Sequence, residues 1–123
     1  MKFKRAAVSV VLSCCMFVPA AFAAALPQSF QGKWAPDCHS AEAEMLGIEV
    51  DGNMAYYGIE ECSAEKVAAK GNGIDIEFEC AVLMDASEKK IHWELTGKDS
   101  LAETDAAKPG AVTTYQRCAS AKR

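Results

Sequence analysis

The sequence predicts an all-β domain, a small eight-stranded antiparallel up-and-down barrel stapled by two disulfides. Three observations lead there. Apolar residues recur at every second position through the two clearest runs, short turn signals separate the segments, and four cysteines (Cys38, Cys62, Cys80 and Cys118) follow the apolar N-terminus.

The alternation is clearest in IDIEFECAVLM (74–84). Ile74, Ile76, Phe78, Cys80, Val82 and Met84 share one face, and Asp75, Glu77 and Glu79 share the other. IHWELTG (91–97) repeats it, with Ile91, Trp93 and Leu95 against His92, Glu94 and Thr96. A period of two is that of a strand with one side buried. Asp51-Gly52 is a two-residue hairpin signal, and Gly71-Asn72-Gly73, DASEK (85–89) and Lys108-Pro109-Gly110 mark further turns. Strands are expected over 29–34, 45–50, 54–61, 64–70, 73–84, 90–97, 100–104 and 112–118. HSAEAEML (39–46) is the one short stretch with helical character. Closing such a meander on itself removes its exposed edges, and strands of this length give a short barrel filled by side chains. A β-sandwich is the alternative.

The N-terminus points to export. Lys2, Lys4 and Arg5 precede the apolar stretch 6–23, which ends in Ala21-Phe22-Ala23, a small-x-small cleavage pattern. A signal peptide over 1–23 and a single domain over 24–123 are therefore expected. Val11-Leu12-Ser13-Cys14 loosely resembles a lipobox, which makes lipidation of Cys14 the alternative. The stretch is short for a membrane span and carries Pro19. Removing 1–23 takes away three of the thirteen basic residues and none of the seventeen acidic ones, so the mature charge is −7. That balance disfavours nucleic acid and anionic membranes and suits a cationic protein partner. Four cysteines in an exported domain of this size read as two disulfides. Their wide spacing lacks the close pairs of a zinc site, so neither metal nor cofactor is expected.

FQGKWAPDC (30–38) places Phe30, Gly32 and Trp34 on one face of the first strand. Both aromatics can plug an end of the core, and Gly32 admits a close approach. On the last strand Tyr115 and Arg117 share a face, and first and last strands must meet in a barrel. Gly32-x-Trp34 with a late Arg117 resembles the lipocalin-type pattern, in which an arginine of the closing strand packs across the tryptophan. Phe-x-Gly-x-Trp-Ala before a Cys, and the closing Tyr-x-Arg-Cys, also resemble small periplasmic proteins of proteobacteria. That resemblance implies a periplasmic location. A Trp34–Arg117 contact brings Cys38 near Cys118 and leaves Cys62 with Cys80, one of three possible connectivities. Because Cys62 and Cys80 do not fit the parity of the inward faces, a direct pair requires a bulge or corner around Ser63.

Catalytic motifs are missing from the sequence: no Gly-rich phosphate loop, H-E-x-x-H or nucleophile elbow occurs. Asp37-Cys38-His39 reads as a turn, and Glu60-Glu61 point to opposite faces of a strand. His92 is expected on a solvated face. If the turn after Met84 spans 85–88, Glu79 faces Glu94, and Asp75, Glu77, Glu79 and Glu94 form an acidic outer patch. Opposed like charges destabilise a sheet, which makes the patch a candidate face for a cationic partner. Tyr56, Glu60 and Glu61 are further candidate contacts. Size, export, disulfides and acidity are similar to those of the small periplasmic lysozyme inhibitors, which are eight-stranded barrels. The resemblance implies a non-enzymatic inhibitor of a lysozyme or another cationic wall-degrading toxin. The Ser-Gly-x-x-Tyr stretch of the membrane-associated inhibitors is absent, so no inhibitory residue carries over. A lipocalin-like carrier of a small apolar ligand and a structural envelope protein are the other classes.

Overall fold

Period-two alternation becomes eight strands in the computed structural model, which describes residues 24–119. The expected signal peptide and the Cys14 lipidation alternative lie outside the described residues. A 3₁₀ turn (Gln28–Phe30) leads into β1 (Gly32–Ala35), a single helical turn α1 (Ala43–Leu46), β2 (Ile48–Asp51) and β3 (Met54–Tyr57). Then follow β4 (Glu60–Lys70), β5 (Gly73–Val82), β6 (Asp85–Gly97), β7 (Ser100–Asp105) and β8 (Lys108–Cys118). Each strand pairs antiparallel with the next, and β8 returns to β1, so the sheet is a closed barrel and not a sandwich.

Several boundaries differ from expectation. The stretch 54–61 is not one strand, because Gly58 adopts φ +63° and turns the chain between β3 and β4. That backbone region is open to glycine at no steric cost. DASEK is not a turn: Val82 pairs with Asp85, and residues 85–89 extend β6. The hairpin turns instead at Leu83-Met84, which lets ten residues of β5 pair with ten of β6. Lys108-Pro109-Gly110 likewise belongs to β8, and the first strand starts only at Gly32.

Inward positions build the core. Trp34, Trp93, Phe78, Ile76, Leu101, Cys62 and Cys80 are its largest fully buried side chains. Phe30 stacks on Trp93 at 5.7 Å between centroids, and Trp34 donates its indole N–H to the Phe30 carbonyl at 2.9 Å. Leu26 and Phe30, ahead of β1, thus plug the barrel end that carries the β2–β3, β4–β5 and β6–β7 turns. The Gln31 amide holds this plug in place, bonding the Leu26 carbonyl and both backbone groups of Gly52.

Closure follows the expected contact. Trp34 pairs with Arg117, and the guanidinium lies 4.3 Å from the indole centroid. The same group donates to the Gln31 and Ser29 carbonyls at 2.8 and 2.9 Å and to Asp99 at 3.0 Å. Gly32 has φ +115°, and a Cβ there would stand 3.3 Å from the Arg117 Nη1. Its freedom therefore serves the arginine.

Both disulfides form as expected, Cys38–Cys118 and Cys62–Cys80. Cys62 sits directly opposite Cys80. The bulge that reconciles the two faces is at Glu65, between Ala64 and Lys66, and not around Ser63. Before it Cys62 and Ala64 face inward, and after it Val67 does. Placing the extra residue beyond Ala64 keeps the disulfide pair in register and moves the irregularity to an exposed glutamate.

Because Cys38–Cys118 spans 80 residues, Cys38→Ser/Cys118→Ser should lower stability by ~2–5 kcal/mol, read from the denaturant midpoint.

Candidate functional site

Outward residues line up across the barrel in rows set by register. Nearest the end bearing the β3–β4 and β5–β6 turns, Glu49, Tyr56, Glu61, Ala81 and Ala86 stand side by side. The next row holds Ser63, Glu79 and Glu88, with the bulged Glu65 alongside. Then come Lys66, Glu77 and Lys90, and beyond them Asp75, His92 and Thr104.

The expected acidic patch is therefore rearranged. Glu79 faces Glu88 and not Glu94, because the two-residue turn at Leu83-Met84 slides β6 along β5. Glu77 faces Lys90 and also lies 4.0 Å from Lys66. Glu94 sits across from Gly73, far along the strand, and shares His92 with Asp75. The imidazole Nδ1 is 2.7 Å from the Asp75 carboxylate and Nε2 is 3.5 Å from that of Glu94. His92 is on the predicted face but bridges two carboxylates instead of being freely solvated. The ring thus ties Asp75 of β5 to Glu94 of its own strand.

Charge is thus compensated in the far rows, whereas in the near ones only Glu49 has a cation opposite it, Lys33. Among the described residues, no salt bridge reaches Glu49, Glu61, Glu79 or Glu88, and all four are exposed. Tyr56 belongs with them, between Glu49 and Glu61, and lines a groove of about 400 Å³ under α1 with Trp34, Gly47 and Gly58. Asp37 caps its own loop, accepting from the His39 backbone N–H, which is the expected turn.

Glu60 is not part of this face. It points inward, where Lys89 Nζ lies 2.6 Å from its carboxylate and 4.8 Å from the Tyr57 ring centroid. Glu60 and the Cys62 and Cys80 sulfurs lie within 4.8 Å of one another, but both sulfurs are committed to the disulfide and offer no thiolate.

The inward residue that sequence reasoning missed is Glu103. It follows Leu101 by two positions, so it faces the interior. Its carboxylate accepts from Tyr57 Oη at 2.5 Å, Trp93 Nε1 at 2.8 Å and Tyr115 Oη at 3.3 Å. The available signal was the period itself, together with three buried aromatics whose polar atoms required an acceptor. Burial first, and then the Glu103 charge, pushes both tyrosine hydroxyls well above their ordinary pKa.

No protein-family model matches the chain, and no curated protein or solved structure matches it.

The fold favours neutral Tyr57 and Tyr115. Their contribution to stability is therefore complete below pH ~10, where unfolded tyrosine keeps its proton, and is lost as pH rises beyond it. A phenolate absorbance titration should show both resisting ionisation until the domain unfolds. Glu103→Gln should bring their ionisation to lower pH. At neutral pH it should cost about 1–3 kcal/mol, since the indole and phenol donors lose a charged acceptor.

Proposed function

We propose that the protein is a periplasmic binding module without chemistry of its own, inhibiting a cationic wall-degrading enzyme of the lysozyme type. The observation that carries this reading is the set of uncompensated carboxylates in two adjacent rows, Glu61, Glu79 and Glu88, with Glu79 directly opposite Glu88. Opposed carboxylates cost a sheet a few tenths of a kcal/mol or more, roughly, and a cationic partner would relieve that repulsion. Two disulfides fit an oxidising, extracytoplasmic compartment. Among the described residues no helix is long and apolar enough to cross a membrane. The interior is filled by Trp34, Trp93, Phe78 and Leu101, which favours an outer surface over a carrier's cavity.

Lysozyme activity titrated with this protein at low and physiological salt tests the proposal. Inhibition should be present at low salt and weaken as salt rises, because exposed charges are screened over about 8–10 Å at 0.10–0.15 M. Glu61→Gln/Glu79→Gln/Glu88→Gln should leave the fold intact and slow association more than it speeds dissociation. No inhibition at either salt overturns the reading.

A further inference from the structure

The two ends of the barrel differ in chemistry. At the plugged end the turns are Gly52-Asn53, Gly71-Asn72 and Lys98-Asp99, polar residues of the kind tight turns select. At the opposite end the β3–β4 turn is Gly58-Ile59 and the β5–β6 turn is Leu83-Met84. Leu83 and Met84 are 90% and 96% exposed. Ile59, and Met45 and Leu46 of the α1 connection, are each more than half exposed. These are three of the four connections at this end, the fourth being the β7–β8 turn at Ala106-Ala107, and α1 touches the β3–β4 turn, since a Cβ on Gly58 would stand 3.0 Å from the Met45 carbonyl.

The hairpin tip is also unfavourable as a turn. Leu83 has φ +57°, and among the described residues it is the one non-glycine with positive φ. A two-residue loop with positive φ at its first central position is the pattern of a type II′ turn, where glycine is usual. A bulky, exposed leucine there gains nothing from the core.

From this apolar rim we infer a protein-docking surface, with Leu83-Met84 as its anchor, that inserts into an apolar pocket ringed by basic residues on the partner. The charge around the rim selects that occupant. Glu42 precedes α1 and Glu44 lies within it, Glu61 stands beside the β3–β4 turn, and Asp85 and Glu88 follow the tip. A second copy docked end to end would set carboxylates against carboxylates, and an anionic lipid surface would be repelled likewise. Apolar anchors in a pocket, with complementary charge at the rim, are how compact interfaces combine affinity with fast association. The inference rests on the proposed binding of a cationic enzyme and names which part of this chain enters it.

The test is Leu83→Gly/Met84→Ser, a pair suited to the turn, which should melt no lower than the wild type. Binding of a c-type lysozyme is followed by surface plasmon resonance. The variant should show a Kd about tenfold higher or more, through faster dissociation with an unchanged salt dependence. The triple glutamine variant should instead lose salt dependence and associate more slowly. An unchanged Kd for the tip variant, with wild-type binding intact, overturns this inference and leaves the proposed function standing. Absence of wild-type binding overturns the proposed function and this inference with it. Two further results overturn the assigned occupant. One is binding of the wild type, but not the variant, to phosphatidylcholine vesicles. The other is a wild-type dimer in sedimentation that the variant dissolves.

Discussion

Because an up-and-down barrel loses its edges only when its last strand pairs with its first, the domain depends on the meeting of Trp34 and Arg117. The guanidinium covers the indole, donates to two backbone carbonyls ahead of β1 and pairs with Asp99 in the β6–β7 connection. It therefore ties the N-terminal segment, the closing strand and a neighbouring turn at one point. Gly32, held at φ +115°, leaves that group close room, and the Cys38–Cys118 bridge locks the same seam covalently. Without this seam, β1 and β8 would present unpaired backbone, the usual origin of edge-to-edge aggregation.

Interior packing makes a second demand, since three of the barrel's aromatics besides Trp34 carry polar atoms. Tyr57, Trp93 and Tyr115 converge on one carboxylate, and Glu103 satisfies all three. Lys89 and Glu60 neutralise one another nearby, on the inward side of β4 and β6. Such a network is favourable only when each member is paired, and here each of these groups has a partner. The same inward demand explains why Glu60 is unavailable as an outer contact.

The outer surface has no such constraint, and there charge and apolar groups collect at one end. Far along the sheet, Lys66, Lys90 and His92 answer the carboxylates opposite them. Toward the β5–β6 tip the carboxylates stand unanswered, beside turns built from Ile59, Leu83 and Met84. Neither feature adds to folding stability. Their coincidence at one end is what a recognition surface requires, and the opposite end, with its polar turns and aromatic plug, lacks it.

Strand type, strand number, the closing contact and both disulfides were legible in the sequence. They rest on local periodicity and on the few residues, such as Gly32, Trp34 and Arg117, whose chemistry suits only a closing seam. The parity of Cys62 and Cys80 even required a bulge, since strand geometry alternates faces without exception until a residue is inserted. Where that residue lies, at Glu65, was decided by which neighbours keep the disulfide in register. The partner of Glu79 was also a tertiary decision. Period two allows β6 to slide along β5 by steps that keep every apolar residue inward, so alternation alone cannot choose between Glu88 and Glu94. The barrel chose the longer ladder and a tight turn at Leu83-Met84, which paired more backbone groups and carried the acidic row toward the tip. Glu103 was hidden for a related reason. A carboxylate on a strand reads as outward until three buried donors from three other strands are seen to meet it, and only closure of the sheet brings them together.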